Sequence, residues 1–220
     1  DAAHQLRTPL AVLKAQVQSA RRGDVPPAQA LGEIRETVER ATALANQMLS
    51  LAKIEQLRQQ PESEALDLGE MVRQVALDLS PLIADRSLDF ELEVAPARVE
   101  AHRWMLLELS RNLLHNAIKH SPEGGALAVQ VATEGDHAVL RVRDAGPGIS
   151  AELRQRLFAP FAAGDVARGS GLGLAICREI VQTLGGEVRL DNRLDAEGRV
   201  LGLDAVVRLP LARQPAHATP

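Results

Sequence analysis

A chain of 220 residues has room for one or two domains, and its net charge of -4 with a pI near 5.9 offers no basic surface to DNA, RNA or an anionic membrane. Three Phe, one Trp and no Tyr leave little for base stacking, and the single Cys177 excludes an internal disulfide or a thiolate zinc site, as suits a reducing compartment. No run reaches the roughly 20 apolar residues of a membrane span.

The chain opens at Asp1 inside a helical pattern and is read as a piece of a longer protein. Leu6, Leu10, Leu13 and Val17 recur at steps of three and four, predicting a helix over 1–21. Pro9 should kink it, because its ring displaces the carbonyl four residues back. Gly23, Asp24, Pro26 and Pro27 mark a turn. A second helix is expected over 28–58, where Leu31, Ile34, Val38, Ala41, Ala45, Met48 and Ala52 form a heptad seam. A hairpin of two such helices has more apolar seam than it can bury alone, and a dimeric four-helix bundle would bury it.

Residues 59–64 are polar, include Pro61, and read as a linker. Beyond them a strand is expected over 65–68, a helix over 69–85 and an alternating strand through Leu88, Phe90, Leu92 and Val94. A helix over 102–120 ends at Ser121-Pro122-Glu123-Gly124-Gly125. The runs 126–132 and 137–142 flank Glu134-Gly135-Asp136 as a hairpin. A short helix over 152–157, a small-residue segment over 159–168 and a helix over 172–184 follow. Gly185-Gly186 ends that helix, 188–190 pairs with 205–209, and 212–220 is a polar tail. The expected fold class is therefore α+β: a helical hairpin over 1–58, then an α/β sandwich over 65–211 with one sheet under one layer of helices.

Three segments carry candidate chemistry. Between Arg111 and Ser121, one side of the helix bears Leu106, Leu107, Leu109, Leu113, Leu114, Ala117 and Ile118, while Glu108, Asn112, Asn116, Lys119 and His120 stack along the other. Two amides followed by an ammonium suit a metal-bound polyphosphate, since an Asn oxygen ligates Mg²⁺ without adding charge beside phosphates. An ordinary amphipathic helix with a solvated side fits the same row. Asp144-Ala-Gly-Pro-Gly-Ile149 leaves a strand with a carboxylate that can accept an exocyclic amine, and Gly146 and Gly148 let backbone approach a base. Taken alone, the hexapeptide reads more readily as a Gly-Pro turn with an exposed Asp. Gly169-Ser-Gly-Leu-Gly-Leu174 enters a helix, where open amides and the dipole bind phosphate, but it lacks the Lys of a P-loop and follows no strand.

In this order the three segments resemble the ATP-binding domain of the gyrase, chaperone, histidine kinase and mismatch-repair ATPases. The resemblance is to sensor histidine kinases in particular, because His4-Gln-Leu-Arg-Thr-Pro-Leu10 is similar to their phosphoacceptor box and lies on the first hairpin helix. It spans nearly all of residues 1–210.

That resemblance implies ATP and Mg²⁺ as cofactors, with Asn116 and Asn112 as metal ligands and Lys119 and His120 on phosphates or ribose. It implies Asp144 on adenine beside Gly146, Gly148 and Ile149, and Gly169, Gly171, Leu172, Gly173 and Leu174 at the phosphates. Phe158 and Phe161 match the phenylalanine box before a mobile lid, from which Arg168 would reach the γ-phosphate. His4 would be the nucleophile, Thr8 would orient water for dephosphorylating a partner, and Glu108 stands where hydrolytic relatives activate water. Gln5 stands where the family usually has an acid, and it cannot take the imidazole proton. Asp1 is one substitute, and slower phosphorylation the alternative.

The implied partners are a second copy through the hairpin and a response regulator receiver domain, with no nucleic acid and with a membrane only through upstream segments. The expected location is the cytoplasmic portion of a bacterial inner-membrane protein. Two rival functions stay open at this point: a clamp-type ATPase that hydrolyses nucleotide, and a regulatory module that mainly dephosphorylates its partner.

Overall fold

The computed structural model describes residues 2–60, 62–150 and 173–213. Helices α1 (Ala2–Arg22) and α2 (Pro27–Arg58) form the hairpin, with Pro9 accommodated inside α1 and Pro27 at the start of α2, where a missing N–H costs nothing. Ala30, Thr37 and Ile54 are buried, whereas Leu10, Val17, Val38 and, at 68% exposure each, Leu31 and Leu49 face outward. The hairpin thus leaves much of its apolar seam uncovered within one chain.

Strand β1 (Glu64–Asp67) leads into α3 (Leu68–Asp78), whose first turn is capped by Asp67 Oδ1 accepting from the Gly69 N–H at 2.8 Å. The single helix expected over 69–85 is divided: α4 (Ser80–Asp85) starts afresh because Pro81 has no N–H, and the Ser80 hydroxyl donates to the Leu77 carbonyl at 2.8 Å. Strand β2 (Asp89–Val94) is followed by β3 (Arg98–Ala101), which pairs antiparallel with β1 and has no counterpart among the expected elements, four residues being too few for alternation to signal. Then come α5 (Arg103–His120), β4 (Ala126–Glu134), β5 (His137–Arg143), α6 (Gly173–Thr183), β6 (Glu187–Leu194) and β7 (Val200–Pro210).

The main sheet has the order β2-β4-β5-β7-β6, with β2 parallel to β4 and the other neighbours antiparallel. One core joins α3, α5 and α6 to the inner sheet face through Val72, Leu106, Leu113, Ile176 and Ile180 against Leu127, Val129, Leu140 and Val207. The outer face is polar, with Glu134 bridging Arg141 at 2.5 Å and Arg208 at 2.9 Å. This is the expected sandwich of one sheet under one helical layer. The end of α2 docks on it through the fully buried Ile54, and Arg58 donates to Glu179 at 2.5 Å and Thr183 at 3.1 Å.

Candidate functional site

The site is built around the C-terminal half of α5. Its apolar stripe, from Met105 through Leu109 and Leu113 to Ile118, is buried, which fixes the helix's rotation and turns Asn112 and Asn116 toward the start of α6. A Cβ added to Gly173 would stand 3.0 Å from Asn112 Oδ1 and 3.6 Å from Asn116 Nδ2. Gly173 therefore lets the two amides approach the first turn of α6, and Leu174 is half-buried beside it. Asn112 Nδ2 donates to the Glu108 carbonyl at 2.9 Å and to Glu108 Oε1 at 3.2 Å, leaving its oxygen on the α6 side.

The loop after β5 lies at the end of the same helix. A Cβ on Gly146 would meet the His120 carbonyl at 2.8 Å and Asp144 Oδ1 at 2.9 Å, so only glycine brings this loop onto α5 without a shift. Asp144 is 6% exposed and accepts from Gly146 N at 2.8 Å and Leu203 N at 3.2 Å. Among the described residues the hydrogen bonds to this carboxylate both fall on Oδ1, so Oδ2 can take a further donor such as an amine. Burial pushes the Asp144 carboxyl above the usual range, against the opposing pull of those backbone donors, His120 and Arg193. Desolvation holds the pKa of the Lys119 ammonium below its ordinary value. Gly148 has φ +69°, and Ile149 is buried.

The structure thus brings Asn112, Asn116, Lys119, His120, Asp144, Gly146, Gly148, Ile149, Gly173 and Leu174 onto α5, the loop after β5 and the start of α6. His4, Gln5 and the exposed Thr8 belong to α1. Arg168, Gly169, Gly171 and Leu172, together with Phe158, Phe161, Asp1 and the helix expected over 152–157, lie outside the described residues.

Glu108, expected to face a ligand as an activating carboxylate, accepts from Ser50 Oγ at 3.0 Å. It therefore also belongs to the contact with α2, where Lys53 Nζ sits 4.7 Å from the centre of the Trp104 ring and His102 Nε2 lies 3.2 Å from the Leu57 carbonyl oxygen. Sequence reasoning missed Ser50, Asn192 and Arg193. Arg193 donates to the Asp144 carbonyl at 3.0 Å, and the available signal was a pair of polar residues interrupting a strand.

The donor set fits a magnesium nucleotide. Two amides carry no charge toward phosphates, a lysine lies one turn on, and a buried carboxylate sits at the far end. Among the described residues no cluster of three His, Cys, Asp or Glu side chains could hold a metal by itself, so an ion here would be held in part by the phosphates. No helix among them is long and apolar enough to cross a membrane.

Residues 103–213 match the family model described as histidine kinase-, DNA gyrase B- and HSP90-like ATPase, and residues 1–57 match the His kinase A phospho-acceptor domain. The chain is 33% identical over 225 residues to the sensor protein kinase PmrB of Pseudomonas aeruginosa, covering 100% of this chain and 46% of that protein. It spans about half the length of the curated relatives it matches. Among solved structures it is similar to the mycobacterial sensor histidine kinase MprB, at 32% identity and TM-score 0.60, covering 69% of this chain and 99% of that one. It shares its fold with the Acinetobacter baumannii histidine kinase AdeS, at TM-score 0.74 and 23% identity, covering 96% and 98% of the two chains.

Proposed function

Because this chain belongs to the sensor histidine kinases, with both their phospho-acceptor and their ATP-binding parts, we propose that it transfers the γ-phosphoryl group of ATP to His4 and then to an aspartate of a response regulator. The observation that carries the reading is the meeting of three segments far apart in sequence: the amides of Asn112 and Asn116 at Gly173, and the Asp144 loop at the end of the same helix. Asp144 receives the adenine amine, while Lys119 and the start of α6 attract the phosphates. Mg²⁺, held by Asn116 with Asn112 beside it, would neutralise charge on the phosphates.

In the transfer an imidazole nitrogen of His4 forms a bond to the γ-phosphorus as the bond to the bridging oxygen breaks, and ADP leaves with that oxygen. The proton on the other ring nitrogen needs an acceptor. The neighbouring Gln5 can accept a hydrogen bond but not that proton. Thr8, exposed one turn after His4, would orient water for dephosphorylating the regulator.

Residues 1–58 act as the dimerising and phosphoaccepting unit, 59–64 as linker and 65–211 as the catalytic unit. The outward Leu31, Val38 and Leu49 support a second copy packed on the hairpin. The unit is placed in the cytoplasm, beneath the membrane segments expected of a sensor protein. Incubation with γ-labelled ATP and Mg²⁺ should give an acid-labile, base-stable phosphoprotein, and label persisting in His4→Ala would refute the assignment.

A further inference from the structure

Asn192 sits where an apolar series ends. The helix-facing side of β6 runs Val188, Leu190, Asn192, and an amide continuing a buried face must find partners. It finds both on one residue: Asn192 Oδ1 accepts from the Ile149 N–H at 2.8 Å, and Asn192 Nδ2 donates to the Ile149 carbonyl at 2.8 Å. The side chain thus replaces the rung that a neighbouring strand would supply.

The β6–β7 hairpin is shaped for this. Its register shifts after Arg193, which pairs with Gly202 while Leu194 pairs with Val200, and a bulge of this kind re-aims side chains. A Cβ on Gly202 would overlap the Asp144 carbonyl oxygen. Asp144 N donates to the Leu203 carbonyl at 3.0 Å, and Arg193 bridges the Asp144 carbonyl at 3.0 Å and Asp204 Oδ1 at 2.9 Å. One end of the Asp144–Ile149 loop is therefore tied to the hairpin at Asp144. The other is tied through the Asn192 amide and the burial of Ile149. Between the ties lie Ala145, Gly146, Pro147 and Gly148, whose glycines leave the segment many conformations unless both ends are held.

We propose that Asn192 is the positioning residue of the base pocket: its amide holds the Asp144–Ile149 loop in the shape that receives adenine, so nucleotide affinity depends on it and the chemical step does not. This rests on the reading of Asp144 as the base-binding carboxylate.

Calorimetric titration of the 220-residue chain with ADP and autophosphorylation kinetics with ATP test it. Loss of two hydrogen bonds in Asn192→Ala should raise the ADP Kd and the KM for ATP about tenfold and leave the rate at saturating ATP within about twofold. Asn192→Asp keeps the shape and the acceptor but, while ionised, sets a negative oxygen against the Ile149 carbonyl. Its deficit at neutral pH should therefore be at least as large as that of Asn192→Ala, and parental affinity in it would equally overturn the inference. Parental affinity in Asn192→Ala, or a fall in the saturated rate with KM unchanged, overturns the inference while loss of binding in Asp144→Asn leaves the base-binding reading standing. Parental affinity in Asp144→Asn overturns that reading as well.

Discussion

Ser50 Oγ donates to Glu108 Oε1 at 3.0 Å, and the same oxygen accepts from Asn112 Nδ2 at 3.2 Å. One carboxylate oxygen therefore joins the helical hairpin to the row of amides on α5. A half-buried hydrogen bond to a charged acceptor contributes on the order of 1 kcal/mol net where water competes. A double-mutant cycle with Ser50→Ala and Glu108→Ala, read by urea unfolding, should return a coupling of about 0.5–1.5 kcal/mol. Additive effects would mean that the contact does not join the two parts in solution.

Burial raises the Asp144 carboxyl above its ordinary value, so between the unfolded and folded pKa values the native chain holds a proton that the unfolded chain has lost. The corresponding stability is present below the unfolded value, about pH 4, and is lost as pH rises through the folded value. Asp144→Asn keeps an oxygen for Gly146 and Leu203 but removes the charge. Unfolding free energies measured from acid to neutral pH should show the parent losing stability relative to the variant as pH climbs. A parallel pair of curves would contradict the buried, ionising carboxylate.

Asn116 is expected to recognise the metal-bound form of the nucleotide. Asn116→Ala should weaken ATP binding by ten- to a hundredfold or so when Mg²⁺ is present, and much less in chelator, because only the metal contact is removed. Equal loss in both conditions would assign Asn116 to the nucleotide itself.

On the proposed reading, Gln5 stands beside the phosphoaccepting His4 where an acid would serve as base. A general base contributes about a hundredfold or more to such proton transfers. Gln5→Glu should therefore raise the autophosphorylation rate by at least tenfold or so, measured under single-turnover conditions with saturating ATP. An unchanged rate would show that another group already accepts the proton.

Much of this molecule was legible in its sequence because the signals are local. The 3.6-residue apolar period fixed which side of α5 is buried, and that alone aimed Asn112 and Asn116. The breakers after Ser121 and at Gly185-Gly186 bounded the helices on either side of the site. What escaped has partners far along the chain. Ser50 meets Glu108 across 58 residues and Asn192 meets Ile149 across 43, and no periodicity encodes such pairs. The strand β6 runs to Leu194 and not only to Leu190, because Asn192 and Arg193 interrupt the apolar alternation to hold the loop after β5. Glu108 was read from its helix face alone, which could not disclose that α2 docks there.

The most direct test is a crystal structure of the chain with a non-hydrolysable ATP analogue and Mg²⁺. The adenine amine should lie within hydrogen-bonding distance of Asp144, with the phosphates between Asn116, Lys119 and the start of α6 at Gly173. A nucleotide bound elsewhere, or a vacant cleft in protein that still phosphorylates His4, would contradict the account.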